Sequence, residues 1–156
     1  MDKIASFQKD HNALCPGLYF STRTCGVETY DLRFKKPNAG DYIQNAALHS
    51  IEHMLATVLR NGPHKDKIVY FGPMGCRTGF YLLTAGLDYR TVLSMLKDAF
   101  AQSLALDGVP GAEKSECGNY AEHDLNGAKR EIRAYLALLE NIGEDEIAKE
   151  KEKEKA

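Results

Sequence analysis

Ile43-Gln44-Asn45-Ala46-Ala47-Leu48-His49-Ser50-Ile51-Glu52-His53-Met54-Leu55-Ala56-Thr57-Val58-Leu59-Arg60-Asn61-Gly62-Pro63 is the stretch from which the fold of this chain is read. Ala47, Leu48, Ile51, Leu55, Val58 and Leu59 recur at helical spacing, which predicts a helix from about Ile43 to Arg60 with one apolar stripe. Asn61-Gly62-Pro63 ends it, because proline cannot continue a helix and glycine leaves one readily. The same helix carries His49-Ser50-Ile51-Glu52-His53. At 3.6 residues per turn the two histidines lie about 40° apart around the axis, so both imidazoles face one way. Glu52 falls about 60° to the other side of His49, placed to move a proton at whatever a metal there would hold. The order H-x-x-E-H also occurs in one class of metallopeptidases, so the motif points to divalent-metal chemistry without naming the reaction.

On the N-terminal side, Met1 to Asn12 reads as a polar arm, followed by two strands, Leu18 to Thr24 and Val27 to Lys35, around Cys25-Gly26. Tyr30, Leu32 and Phe34 alternate with Asp31 and Arg33, the pattern of a half-buried strand. On the C-terminal side, Ile68 to Phe71 and Gly79 to Thr84 read as strands flanking the turn Gly72-Pro73-Met74-Gly75-Cys76-Arg77-Thr78. Asp88 can cap a helix to about Leu106, with Val92, Leu93, Leu96, Ala99, Phe100 and Leu104 as its buried stripe. A polar loop then carries Cys117, and Asp124 can cap a last helix to about Asn141, ended by Gly143. Residues 144–156 form a Lys/Glu run with little to bury, expected to fray in solvent. Strands and helices mix without regular βαβ alternation. The expectation is an α+β fold, a mostly antiparallel β-sheet with helices packed on one face, as a single domain over 1–143 with a charged tail over 144–156.

Apolar residues at 44% and charged residues at 27% are those of a globular protein of ordinary composition. A net charge of −2 and a pI near 6.2 leave no electrostatic footprint of a nucleic-acid binder. The first ten residues lack the apolar stretch of a signal peptide, and no run approaches a membrane span, so a cytoplasmic location is expected. In such a reducing compartment Cys15, Cys25, Cys76 and Cys117 are thiols, free for metal binding or catalysis.

A catalytic divalent site usually takes three protein ligands and keeps one position open. Beyond His49 and His53 the candidates are His11, His64, His123, the cysteines and the carboxylates. Cys117, flanked by Glu116 and Gly118 in a loop that can bend, is one; an idle or buried thiol is the other reading. Cys76 sits on a turn whose glycines allow close approach of a ligand, and Arg77 beside it favours a thiolate if it points the same way; a buried thiol again remains open. His64 reads as solvated, His123 as a structural residue before a helix cap, and Cys15 and Cys25 as bystanders.

Taken in order, His49-Ser50-Ile51-Glu52-His53, Gly-Pro-Met-Gly-Cys76-Arg-Thr-Gly-Phe-Tyr, Glu116-Cys117-Gly118 and His123-Asp124-Leu125-Asn126-Gly127-Ala128-Lys129 resemble S-ribosylhomocysteine lyase, the LuxS family. Ser6-Phe7, Asp10-His11-Asn12 and Asp31-Leu32-Arg33-Phe34 match it as well, and the likeness covers about residues 4 to 142. The resemblance implies that His49, His53 and Cys117 bind one divalent metal per subunit, iron(II) in the reducing cell and often zinc or cobalt in preparations. It implies Glu52 and Cys76 as general acid/base residues, and Ser6, His11, Arg33 and, less directly, Arg60 as contacts to the substrate S-ribosylhomocysteine. It also implies a homodimer with active sites at the interface. In one respect the chain departs from the family. Tyr70 stands where an acidic residue is usual, six positions before the catalytic cysteine, and Phe71-Gly72 replaces an apolar-serine pair, which bears on how the substrate amino group is held.

The implied reaction cleaves a thioether to homocysteine and 4,5-dihydroxy-2,3-pentanedione, the precursor of autoinducer-2 signals. A thioether sulfur leaves only when a carbonyl acidifies the proton beside it, so the sugar carbonyl has to migrate before β-elimination. Two other classes fit the motif alone. A metallopeptidase would use Glu52 to activate water, and a non-catalytic metal-binding relative would carry Tyr70 as a sign of altered ligand use. Peptide hydrolysis and thiol release separate the three.

Overall fold

The computed structural model describes residues 1–156, and its element order follows from the local sequence at almost every point. A short exposed helix α1 (Ala5–Gln8) precedes two strands, β1 (Gly17–Thr24) and β2 (Val27–Arg33), joined through Cys25 and Gly26, both with positive φ. Helix α2 (Asn45–Arg60), strands β3 (Ile68–Pro73) and β4 (Gly79–Thr84), and helices α3 (Tyr89–Leu104), α4 (Leu125–Glu140) and α5 (Glu144–Glu154) complete the chain. The four strands pair antiparallel in the order β1-β2-β4-β3. This is the expected α+β architecture.

One face of the sheet is the core face. Leu32 pairs across to Leu18 on one side and Phe80 on the other, and Tyr30 to Phe20 and Leu82. All six are buried, Leu32, Tyr30, Phe80 and Leu82 completely. Helix α2 packs against β3, α4 and α5 against β1, and α2, α3 and α4 against one another. Phe34, stacked on Tyr135 at 4.0 Å between ring centres, joins the end of β2 to α4. Tyrosine hydroxyls then tie the helices to strand backbone: Tyr135 donates to Gly17 O at 2.9 Å and Tyr89 to Leu18 O at 2.8 Å. Burial holds the Tyr135 phenol well above its ordinary pKa, so it remains a donor.

The two long helices after the sheet start where their caps predict. Asp88 accepts the Thr91 N–H at 2.9 Å and Asp124 accepts the Gly127 N–H at 2.8 Å. On α2 the buried stripe is Ala47, Leu48, Ile51, Met54, Leu55 and Leu59, with Val58 only partly covered.

Two expectations need correction. Helix α4 ends at its C-cap Asn141, and Gly143 is instead the N-cap of α5. Residues 144–156 do not fray: α5 lies along edge strand β1, burying Ile147 and Glu150. Glu150 Oε2 accepts the Phe20 backbone N–H at 2.8 Å, satisfying a donor next to the β-bulge between Phe20 and Thr22, while Oε1 receives Lys153 Nζ at 2.6 Å. Charge composition hid this, because a single carboxylate serves an edge-strand donor that no strand can reach.

Replacing Glu150 by Ala strands that N–H, and the unfolding free energy from urea titration should fall by about 1–3 kcal/mol. Replacing exposed Glu152 should change it by no more than about 0.5 kcal/mol.

Candidate metal centre and acid-base groups

His49 and His53 lie one turn apart on α2, on the edge of the helix that the buried stripe leaves open. Each Nδ1 faces a main-chain carbonyl of the loop between α3 and α4: Glu122 O at 2.8 Å for His49, Pro110 O at 2.9 Å for His53. A carbonyl only accepts, so both Nδ1 atoms carry the hydrogen and both Nε2 atoms keep an in-plane lone pair. Those lone-pair nitrogens stand 3.4 and 3.8 Å from Cys117 Sγ. Cys117 is carried on a turn in which its N–H and that of Glu116 both bind Glu113 O. The sulfur is thus presented to the helix by backbone geometry.

A fourth group completes the cluster. His123 Nε2 lies 3.6 Å from the same sulfur, and its ring stacks on His49 at 4.0 Å. The ligand atoms of His49, His53, Cys117 and His123 all lie within 4.8 Å of one another. Around a tetrahedral ion with metal–sulfur near 2.3 Å and metal–nitrogen near 2.0 Å, sulfur–nitrogen edges come to about 3.5 Å. The observed edges bracket that value, and two neutral imidazoles with a thiolate form a donor set suited to zinc, iron(II) or cobalt(II). Sequence reading set His123 aside as a structural residue. Its place six residues after Cys117 was the available signal, and only the turn of the chain between them brings the ring back. Burial first, then His49 and His53, hold His123 below the ordinary imidazole pKa.

Glu52 and His53 line one cleft of about 290 Å³ with Thr57, Phe71, Gly111 and Glu116. Cys76, Ser6, His11, Arg33 and Arg60 do not line it. A larger cavity of about 360 Å³, lined by His64, Arg90, Ser94 and Asp98 among others, lies between the end of α2 and α3 and contains none of the predicted site residues.

Cys76 stands exposed on the β3–β4 turn, where Arg77 takes a positive φ of 59°. Arg77 is not its cation. It donates to Ile43 O at 3.2 Å and lies over the Tyr42 ring. Arg33 takes that place: Nη1 donates to Thr78 Oγ1 at 2.7 Å and approaches Cys76 Sγ at 4.0 Å. Since a guanidinium only donates, Thr78 Oγ1 accepts from it and has its own hydrogen free for Cys76 Sγ, 3.1 Å away.

Arg33 is 2% exposed and Asp31 0%, which corrects the half-buried reading of β2. Asp31 receives Arg33 Nε at 3.1 Å and Nη2 at 2.6 Å, with Lys9 Nζ at 3.3 Å. The strand positions opposite Arg33 are Gly17 and Gly79, so no neighbouring side chain competes for its space. A Cβ at Gly79 would run into Leu32 O.

Ser6 opens onto a groove on the outer sheet face with Thr22, Thr29, Tyr70, Tyr81 and Leu83. His11 Nδ1 binds Lys9 O, and Arg60 donates to Val69 O at 3.1 Å. The Tyr70 ring lies over Gly72 so closely that a Cβ there would meet its hydroxyl. Tyr70 and Gly72 are therefore one packing unit.

Breaking the buried pair by Asp31→Ala leaves Arg33 uncompensated. Urea unfolding should register a loss of about 3–5 kcal/mol.

A family model described as S-ribosylhomocysteinase (LuxS) matches residues 4–146 of this chain. The S-ribosylhomocysteine lyase of Borreliella burgdorferi (strain ZS7) is 46% identical over 155 residues, covering 94% of this chain and 98% of that protein. The S-ribosylhomocysteine lyase of Clostridium acetobutylicum is 42% identical over 155 residues with the same coverage, and that of Phocaeicola vulgatus is 44% identical over 155 residues, 94% and 96%.

Proposed function

The chain belongs to the S-ribosylhomocysteinase (LuxS) family, and on that premise we propose that it cleaves the thioether of S-ribosylhomocysteine with His49, His53 and Cys117 as metal ligands. It is a carbon–sulfur lyase whose products are homocysteine and 4,5-dihydroxy-2,3-pentanedione. The observation that carries the site reading is the convergence of two lone-pair nitrogens from α2 on the Cys117 sulfur. One divalent ion in this set, iron(II) in the reducing cell with zinc or cobalt able to replace it, supplies Lewis-acid stabilisation of charge developing on the sugar oxygens.

The remaining work is proton movement. Carrying the sugar carbonyl along the chain requires taking a proton from one carbon and returning one to its neighbour, twice, before the proton beside the C–S bond is removed. Cys76 takes the role of base: Thr78 Oγ1, which accepts from Arg33, has a hydrogen it can give to the sulfur, and Arg33 stands behind, which holds the sulfur in place with a lone pair left for a substrate proton. Glu52, in the cleft beside His53, is the second carrier and returns or removes protons from the other side. Arg33 acts first on Cys76, and with Ser6, His11 and Arg60 forms the set assigned to the substrate.

A second copy of the chain fits this division. Cys76 does not share the Glu52 cleft, and Ile4, Phe7, Val69 and Tyr70 leave large apolar side chains exposed near the Ser6 groove. We assign these to a homodimer interface that completes the site, with residues 1–143 as the catalytic unit. Four unpaired thiols suit a cytoplasmic setting, and no helix is long and apolar enough to cross a membrane.

Metal-loaded protein should release free thiol from S-ribosylhomocysteine; none released under anaerobic conditions with full metal would sink the assignment. Cys76→Ala and Glu52→Ala should keep their metal and lose activity by at least about 100-fold. By contrast, His49→Ala, His53→Ala and Cys117→Ala should lose metal by elemental analysis, and full occupancy in Cys117→Ala would remove it from the ligand set.

A further inference from the structure

Ser50 and His123 form a hydrogen-bonded pair behind the Cys117 sulfur that the reaction as described leaves without a role. Ser50 is 0% exposed on α2. Its Oγ accepts the Asp124 N–H at 2.8 Å and stands 3.0 Å from His123 Nδ1. A serine hydroxyl has one hydrogen to give. Were His123 Nδ1 also a donor, that hydrogen would be buried with no acceptor, a cost the other arrangement avoids. Ser50 therefore donates to Nδ1, and Nε2 becomes the protonated nitrogen of the neutral ring. This is the opposite tautomer to His49 and His53, whose Nδ1 atoms face the carbonyls of Glu122 and Pro110.

Ring geometry points the same way. All three Nε2 atoms lie 3.4–3.8 Å from the sulfur, so distance does not separate ligand from neighbour. Imidazoles bound tetrahedrally to one ion, each nitrogen about 2 Å from it, have ring centres about 5 Å apart. The His49–His53 and His53–His123 pairs, at 4.7 and 4.9 Å, come close to this. His49 and His123 are 4.0 Å apart with planes only 22° from parallel. Rings stacked in this way do not both aim an in-plane lone pair at one ion, and His49 is the one whose lone pair the backbone has freed. A fourth protein ligand would also close the position a catalytic site leaves open.

We propose that His123 is a positioning residue whose Nε2–H, set by the Ser50 hydroxyl, donates a hydrogen bond to the Cys117 sulfur. The inference rests on the ligand set proposed above. A hydrogen bond to a ligating thiolate draws electron density from it and fixes its orientation, leaving the ion a stronger electrophile toward substrate oxygens.

Cobalt(II) is the probe, because a ligating thiolate gives it a sulfur-to-metal charge-transfer band. In His123→Ala the protein should still bind one cobalt per chain, with affinity lowered by no more than about 100-fold. The band should move to longer wavelength, because a sulfur without the N–H gives up electrons more easily. Ser50→Ala should shift it in the same direction. His123→Gln, whose amide nitrogen occupies the place of Nε2, should return it toward the wild-type position. Loss of cobalt from His123→Ala, or a band that does not move in either alanine variant, overturns the proposal while leaving Cys117 a ligand. Absence of the band from the wild-type protein overturns the ligand set as well, so the two failures are told apart.

Discussion

The irregular chain between α3 and α4 is held to α2 by the imidazoles of that helix. His53 binds Pro110 O, His49 binds Glu122 O, and Ser50 takes the Asp124 N–H. Between the first anchor and the other two the loop has to return Cys117 over both rings. Ordering so many loop residues costs conformational entropy, which these bonds offset in part. The anchors are rigid because the neighbouring stripe of α2 is core, with Ile51, Met54 and Leu55 fully buried. The geometry of the His49–His53–Cys117 cluster is thus inherited from helix packing, and the same bonds that hold the loop select which nitrogen of each histidine faces the sulfur.

A second constraint governs the outer face of the sheet. Arg33 and Asp31 project from the face opposite Tyr30 and Leu32, yet both are as buried as the core. Taking two charges out of water costs several kcal/mol per ion, recovered only if the pairing is close and the remaining donors are satisfied. Two bonds to Asp31, one to Thr78 and the approach to Cys76 occupy four of the five guanidinium N–H groups. The pair ties the β3–β4 turn to β2, and the position of Cys76 follows from it.

Much of this was legible in residue order. Alternation and helical periodicity located every strand and the three long helices to within a few residues, and Asp88 and Asp124 announced the starts of α3 and α4. The failures share a cause. Arg77 is adjacent to Cys76 in the chain, but its positive φ turns it toward Ile43, and Arg33 arrives from another strand. Residues 144–156 looked too charged to pack, because the partner of Glu150 is a backbone N–H at Phe20, invisible to any count of side chains. Asp31 and Arg33 looked exposed because alternation reports which face a residue takes, not what covers it.

Residue order by itself determined that two imidazoles and a carboxylate share a helix, that the chain is α+β, and, through its motifs, the family to which it belongs. Those are local facts, set by 3.6-residue and two-residue periods and by side-chain type. Only the tertiary structure decided that Cys117 and His123 close on that helix, that Arg33 backs Cys76, and that Tyr70 and Gly72 are one packing unit. The physical reason is that these contacts join residues far apart along the chain. Hydrogen bonds to backbone carbonyls, a buried charge pair and ring stacking set them, and none of these leaves a period in the sequence.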